Sequence, residues 1–100
     1  MTTHSHKNCQ KKAAGKNGFT EYPLGNGQRL DALSANKRKA TEVERCGNLS
    51  QAVSRLKKSG ASQRVLQVPQ RDMNAAVKAM KSAGLSGTVK NMSDTKRISV

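Results

Sequence analysis

Asp31, Glu42 and Glu44 are half of the acidic residues in a chain that has six of them against nineteen lysines and arginines. All three fall inside "RLDALSANKRKATEVER", residues 29–45, and Glu21 lies just before it. Carboxylates gathered on a basic chain do a limited range of chemistry. Hard oxygen ligands suit Mg²⁺ or Mn²⁺, which bind through one or two carboxylates and a substrate phosphate. Such an ion activates water and stabilises the charge that develops at a phosphodiester, while basic residues hold the nucleic-acid backbone. The same carboxylates serve equally well on a solvated face, paired with Arg29, Lys39 or Arg45.

The elements that must position them are two strand-like runs, "QRLDALS" and "KATEVER", joined by "ANKR" and read as a β-hairpin. An even-length loop pairs residues whose numbers share a constant sum, which sets Asp31 opposite Glu42. Glu44 then shares the face of Glu42, and Leu30, Ala32 and Val43 point to the other. Three carboxylates are expected to converge on one patch of a twisted ribbon. Like charges directly opposite destabilise a hairpin, so water, basic neighbours or a cation must offset them. A loop of odd length would separate Asp31 from Glu42 and remove the cluster.

One hundred residues suit a single small domain. The apolar share is 34%, and Phe19 and Tyr22 are the only aromatics, so the core must be aliphatic. A net charge of +13 attracts polyanions: nucleic acid first, an anionic membrane surface second, an acidic partner protein third. No apolar run approaches the roughly 20 residues of a spanning helix. The opening "MTTHSHKNCQKKAAGKNG" has no apolar core and does not read as a secretory signal. Two cysteines, Cys9 and Cys46, make no disulfide framework, and a cytoplasmic setting is the default. His4, His6 and Cys9 could bind zinc together with Cys46, but a polar tail is the commoner explanation of that spacing.

Residues 1–18 read as a basic arm, either a short helix around Lys7 to Ala14 or disordered, and 19–100 as one domain. "FTEYPL" (19–24) is a short edge strand because of Pro23, and "GNG" a turn. Leu49, Ala52, Val53 and Leu56 recur at helical spacing, with Asn48 as N-cap and Gly60 as stop. "RVLQV" (64–68) is a buried-type strand. Met73, Ala76, Val77 and Met80 form a second helical stripe, with Asp72 as cap and Gly84 as stop. "GTVKNM" (87–92) is a further strand, which makes a right-handed parallel βαβ unit with 64–68. "KRISV" either adds an edge strand or stays loose. The fold class is α/β: a mixed sheet of four to five strands, an antiparallel hairpin meander plus the βαβ unit, flanked by two to three helices.

A strand bearing Asp, a turn, a strand bearing Glu, then a helix and a strand: this order resembles the core of the restriction-endonuclease-like PD-(D/E)XK nucleases, among which the toxin-type and resolvase-like members are this small. Here "RLDALS" supplies the Asp, "ATEVER" the Glu, "NLSQAVSRLKKSGA" the helix and "RVLQVPQ" the next strand. The resemblance implies a Mg²⁺- or Mn²⁺-dependent endonuclease with Asp31 and Glu42 as metal ligands and Val43's carbonyl nearby. Its substrate would be DNA by preference or RNA, with an acidic immunity protein or a second copy of the chain as further partners. Glu44 occupies the lysine position of the motif, where it would orient or deprotonate the attacking water. The frequent acidic residue of the family's first helix has no counterpart in "HKNCQKKAA", although Glu21 could approach the site. A non-catalytic nucleic-acid-binding descendant, or a module docking an acidic partner, would carry the same departures.

Candidate phosphate contacts are Lys7, Lys11, Lys12 and Lys16 on the arm, and Arg29, Lys39, Arg45 and Arg55 on the domain. Gln51 and Arg55 share one side of the first clear helix, touching phosphate or only solvent. Gln67 is an amide inside an apolar run and needs partners. No aromatic interleaving supports base stacking.

Overall fold

The computed structural model describes residues 4–100, with side chains from residue 6 onward. Its elements run α1 (His4–Ala14), β1 (Phe19–Gly25), β2 (Gln28–Leu33), β3 (Lys39–Val43), α2 (Leu49–Lys58), β4 (Gln63–Gln67), α3 (Met73–Ser82), β5 (Thr88–Lys90) and β6 (Arg97–Ser99). A single 3-10 turn, Gln70–Asp72, leads into α3. The strands form one mixed sheet in the order β1-β2-β3-β4-β5-β6. The pairs β3–β4 and β4–β5 are parallel and the other three antiparallel. "KRISV" contributes edge strand β6, which brings the count to six rather than four to five. No described helix is long and apolar enough to cross a membrane.

Turn chemistry sets the first half of the sheet. Asn26 and Gly27 both hold positive φ, 54° and 76°, between paired Gly25 and Gln28. Two such residues make the hairpin turn whose twist suits flanking strands. The β2–β3 loop is the even-length one expected: Leu33 pairs with Ala40 and Ala32 with Thr41. Ser34 and Asn36 close it, their side-chain oxygens accepting from the backbone of Lys39 and Arg38 at 3.0 Å each.

Adjacent strand residues point to opposite faces, and that alternation separates two layers. Leu66 and Val89 join Ala52, Val53, Leu56, Met73, Ala76 and Met80 in an aliphatic core under α2 and α3. Their neighbours Gln67 and Lys90 face the other way, toward Cys9 and Ala13 of α1. Tyr22 packs only partly against the core and Phe19 stays exposed. Gly60 and Gly84 end α2 and α3 at φ +67° and +72°. The expected N-caps do not act through their side chains: neither Asn48 nor Asp72 makes a side-chain cap bond, and Asn48 donates to Gln51 Oε1 instead.

The basic arm is the helical alternative, and more than an appendage. α1 starts before Lys7 and lies on β1, β2 and β3. Gln10 and Ala14 are buried there, and His6, Gln10 and Ala14 line one side at four-residue spacing.

Candidate functional site

β2 and β3 part beyond the Ala32–Thr41 pair, and two carboxylates occupy the gap. Glu42 Oε2 accepts the backbone N–H of Asp31 at 2.7 Å, and Asp31 Oδ2 accepts the N–H of Val43 at 2.7 Å. Side chains thus replace the carbonyls that would have continued the ladder. The register of the hairpin is the expected one, but the pair does not stand abreast on a single face. Asp31 is approached from the α1 side, where Gln10 Nε2 donates to its Oδ1 at 3.0 Å and His6 Nε2 lies 3.2 Å from the same oxygen. Glu42, in register with Leu66, is approached from the α2 side by Arg55 Nη1 at 3.5 Å. Meeting edge-on, each carboxylate gains a backbone donor, which two like charges side by side would lack.

Electrostatics divide the two acids. Glu42 is 1% exposed, and its pKa is raised to about 8. Burial is the main cause, the neighbouring Asp31 charge the second, and the Asp31 amide and Arg55 only partly compensate. Glu42 is therefore largely a neutral acid at pH 7. Arg55 does little because its contact is long, and its Nε is buried without a hydrogen-bond partner.

Glu44 does not complete the expected trio. β3 ends at Val43, and Glu44 turns to accept the N–H of Cys46 at 2.9 Å in the following loop. Glu21 comes closer: Gln10 Nε2 donates to its Oε1 at 3.1 Å as well as to Asp31, so one amide bridges two carboxylates. Among the described residues no group of three or more His, Cys, Asp or Glu is arranged to hold a metal ion, the trio of Asp31, Glu42 and Glu44 included. The side chain of His4 lies outside the described residues.

Of the candidate phosphate contacts, Lys7, Lys11, Lys12, Lys16, Arg29, Lys39 and Arg45 are exposed, whereas Arg55 is half-buried against Glu42. Gln51 turns to Asn48 and leaves the site. Gln67 satisfies its amide on the carbonyls of Asn91 and Met92 at 3.1 Å each, tying β4 to the loop after β5. Gln10 had no place among the sequence candidates, and His6 stood there only as a zinc ligand. Their signal was the His6, Gln10, Ala14 stripe, faint because the helix is polar all round.

The donor set suits a hard divalent cation and not a soft one. The two acids present carboxylate oxygens only, and the one positive charge beside Glu42 in the described residues, Arg55, makes a long 3.5 Å contact. Two carboxylates are enough for Mg²⁺, which keeps several waters and takes the rest of its shell from substrate phosphate.

A scan against protein-family models finds no match, and searches of curated proteins and of solved structures find none either.

Proposed function

We propose that the chain is a metal-dependent nuclease of the restriction-endonuclease-like kind, cleaving phosphodiester bonds of DNA or RNA in the cytoplasm. The observation that carries this reading is Glu42: a carboxylate buried beside Asp31, at the point where two strands part, on a protein with a net charge of +13. Burying a carboxylate next to another is costly unless a cation joins them. Asp31 and Glu42 would hold Mg²⁺ or Mn²⁺, which supplies Lewis-acid activation of water and of the scissile phosphate.

The chain's own residues do the remaining work. Gln10 and His6 fix the rotamer of Asp31 from α1. Arg55 aims a guanidinium at Glu42 and is placed to share it with a phosphate oxygen. Lys7, Lys11 and Lys12 continue the positive charge along α1. Glu44, held by the Cys46 amide, is removed from the role of base.

Incubation of purified protein with duplex DNA and with single-stranded RNA, in Mg²⁺, Mn²⁺ or chelator, tests the reading. The expected result is cleavage that needs the metal and disappears in both Asp31→Asn and Glu42→Gln. Cleavage in neither substrate, or cleavage that survives both substitutions, overturns it.

One observation favours a second reading, a non-catalytic nucleic-acid-binding protein of the same fold. Both carboxylates are already satisfied by backbone amides, and the nearest side chain on α1 is the neutral Gln10. That reading expects salt-sensitive binding that survives Asp31→Asn and Glu42→Gln.

A further inference from the structure

With two helices on one face of a six-stranded sheet and one on the other, a strip of the second face stays bare. The ladders put Lys39, Gln63, Val65, Thr88, Lys90 and Arg97 on that α1-facing side. Yet α1 lies chiefly over β1–β3. What remains over β4–β6 is a trough of about 330 Å³ whose walls carry three cations, Lys39, Lys90 and Arg97, with Thr88 between them.

The cations are held in position. Arg64, which alternates to the other face, is held away from the trough by donating its Nη1 to the carbonyl of Ser86 at 3.2 Å. Asp94, on the loop before β6, pairs with Arg97 at 2.8 Å and Lys90 at 3.6 Å. Those partners keep its carboxyl below the usual range, Arg97 foremost, so one acid orders two cations and the trough keeps a surplus of positive charge. Its lining has no aromatic ring, which excludes base stacking, and too little apolar surface for a hydrophobic ligand. Arginine forks and lysines around a hydroxyl suit phosphate oxygens.

We infer that this trough is a second nucleic-acid contact, gripping the phosphate backbone of a bound strand. The trough rests on the nucleic-acid reading of the function and not on cleavage. It adds Lys90 and Arg97 to the phosphate contacts and gives them, with Lys39, a bounded surface.

The test is fluorescence anisotropy in chelator, where no metal-dependent cleavage occurs. The probes are labelled duplex DNA of about 20 base pairs and single-stranded RNA of the same length, titrated over a range of salt. Lys39→Gln/Lys90→Gln/Arg97→Gln is compared with Lys57→Gln/Lys78→Gln/Lys81→Gln, an equal charge change on the exposed sides of α2 and α3. The trough variant is expected to bind about 10-fold more weakly and to flatten the slope of log K against log salt by about 2 to 3, at roughly 0.9 per lost phosphate contact. The control is expected to stay within about twofold. Equal losses in both variants, or no loss in the trough variant, overturn the inference, as does a trough variant that keeps nucleic acid but loses a polyglutamate probe. If thermal unfolding shows the triple variant destabilised, Lys39→Gln alone decides by a slope change of about 0.9 or none. Loss of the nuclease reading leaves this result untouched, because binding is read without turnover.

Discussion

Glu42 Oε2 sits 2.7 Å from the backbone nitrogen of Asp31, so an acid side chain closes the ladder between β2 and β3 where a carbonyl would otherwise do so. The acid that does this is buried and largely protonated at neutral pH, and several consequences can be measured.

Stability should fall as pH rises. The pKa of Glu42 is raised from its ordinary 4.5 to about 8, so between these values the folded protein holds a proton that the unfolded chain has released. Its stabilising contribution is complete below pH 4.5 and is lost as pH rises through about 8. The expected loss is on the order of 1.4 kcal/mol per pH unit within that window, a few kcal/mol in all. Thermal unfolding followed from pH 5 to about pH 9 should show Tm dropping in the parent and nearly flat in Glu42→Gln, which keeps an acceptor for the Asp31 amide. An equal drop in both would assign the effect elsewhere.

Divalent cations should reverse that loss. A metal binds the ionised form, so Mg²⁺ or Mn²⁺ should raise Tm more at pH 8 than at pH 6. Both Asp31→Asn and Glu42→Gln should abolish the increment. Ca²⁺ and Mg²⁺ titrations by calorimetry, with proton release read from buffers of different ionisation enthalpy, check the same linkage independently.

Gln10 bridges Glu21 and Asp31, and its two simplest substitutions should diverge. Gln10→Ala removes the shared donor and should cost about 0.5–1.5 kcal/mol, the net worth of a hydrogen bond, because Glu21 is exposed and Asp31 keeps the Val43 amide. Gln10→Glu sets a third carboxylate beside Asp31. It should destabilise the metal-free protein similarly and tighten Mn²⁺ binding, a pairing of effects that chemical denaturation with and without metal will resolve.

Gly87 is a packing position. A Cβ there would lie 2.2 Å from the carbonyl oxygen of Arg64, and its own backbone pairs with Val100 in both directions. Gly87→Ala should push β4 and β5 apart and cost about 1–3 kcal/mol, read as a lower urea midpoint. Gly47→Ala is the comparison: its Cβ would meet nothing, and only backbone strain at φ +83° opposes it.

The hairpin was legible because its information is local. Asn26-Gly27 fixes one turn and the even "ANKR" loop the next, although β2 and β3 are buried on both sides rather than the one that alternation suggested. The helices were legible from the spacing of Leu49, Ala52, Val53 and Leu56 and of Met73, Ala76 and Met80. What escaped depends on distance in sequence. Gln10 reaches Asp31 across 21 residues from a helix whose polar surface advertises no buried side. Glu44 was set with Glu42 by alternation, but the strand ends one residue too early, and a free loop amide at Cys46 takes the carboxylate. Asn48 and Asp72 stand at the helix starts, yet composition alone does not reveal that Asn48 finds Gln51 first.

The six strands lie side by side in the order in which they are synthesised. No later segment has to be slotted between two earlier ones, so each arrival docks on the rim its predecessor has just completed. Growth is one-directional, and every connection, the two parallel crossovers through α2 and α3 included, joins neighbouring strands, which keeps the entropic cost of closure low. The chain can therefore assemble vectorially as it emerges from the ribosome, and the last strand to join, β6, is also the first that can peel away without disturbing the rest.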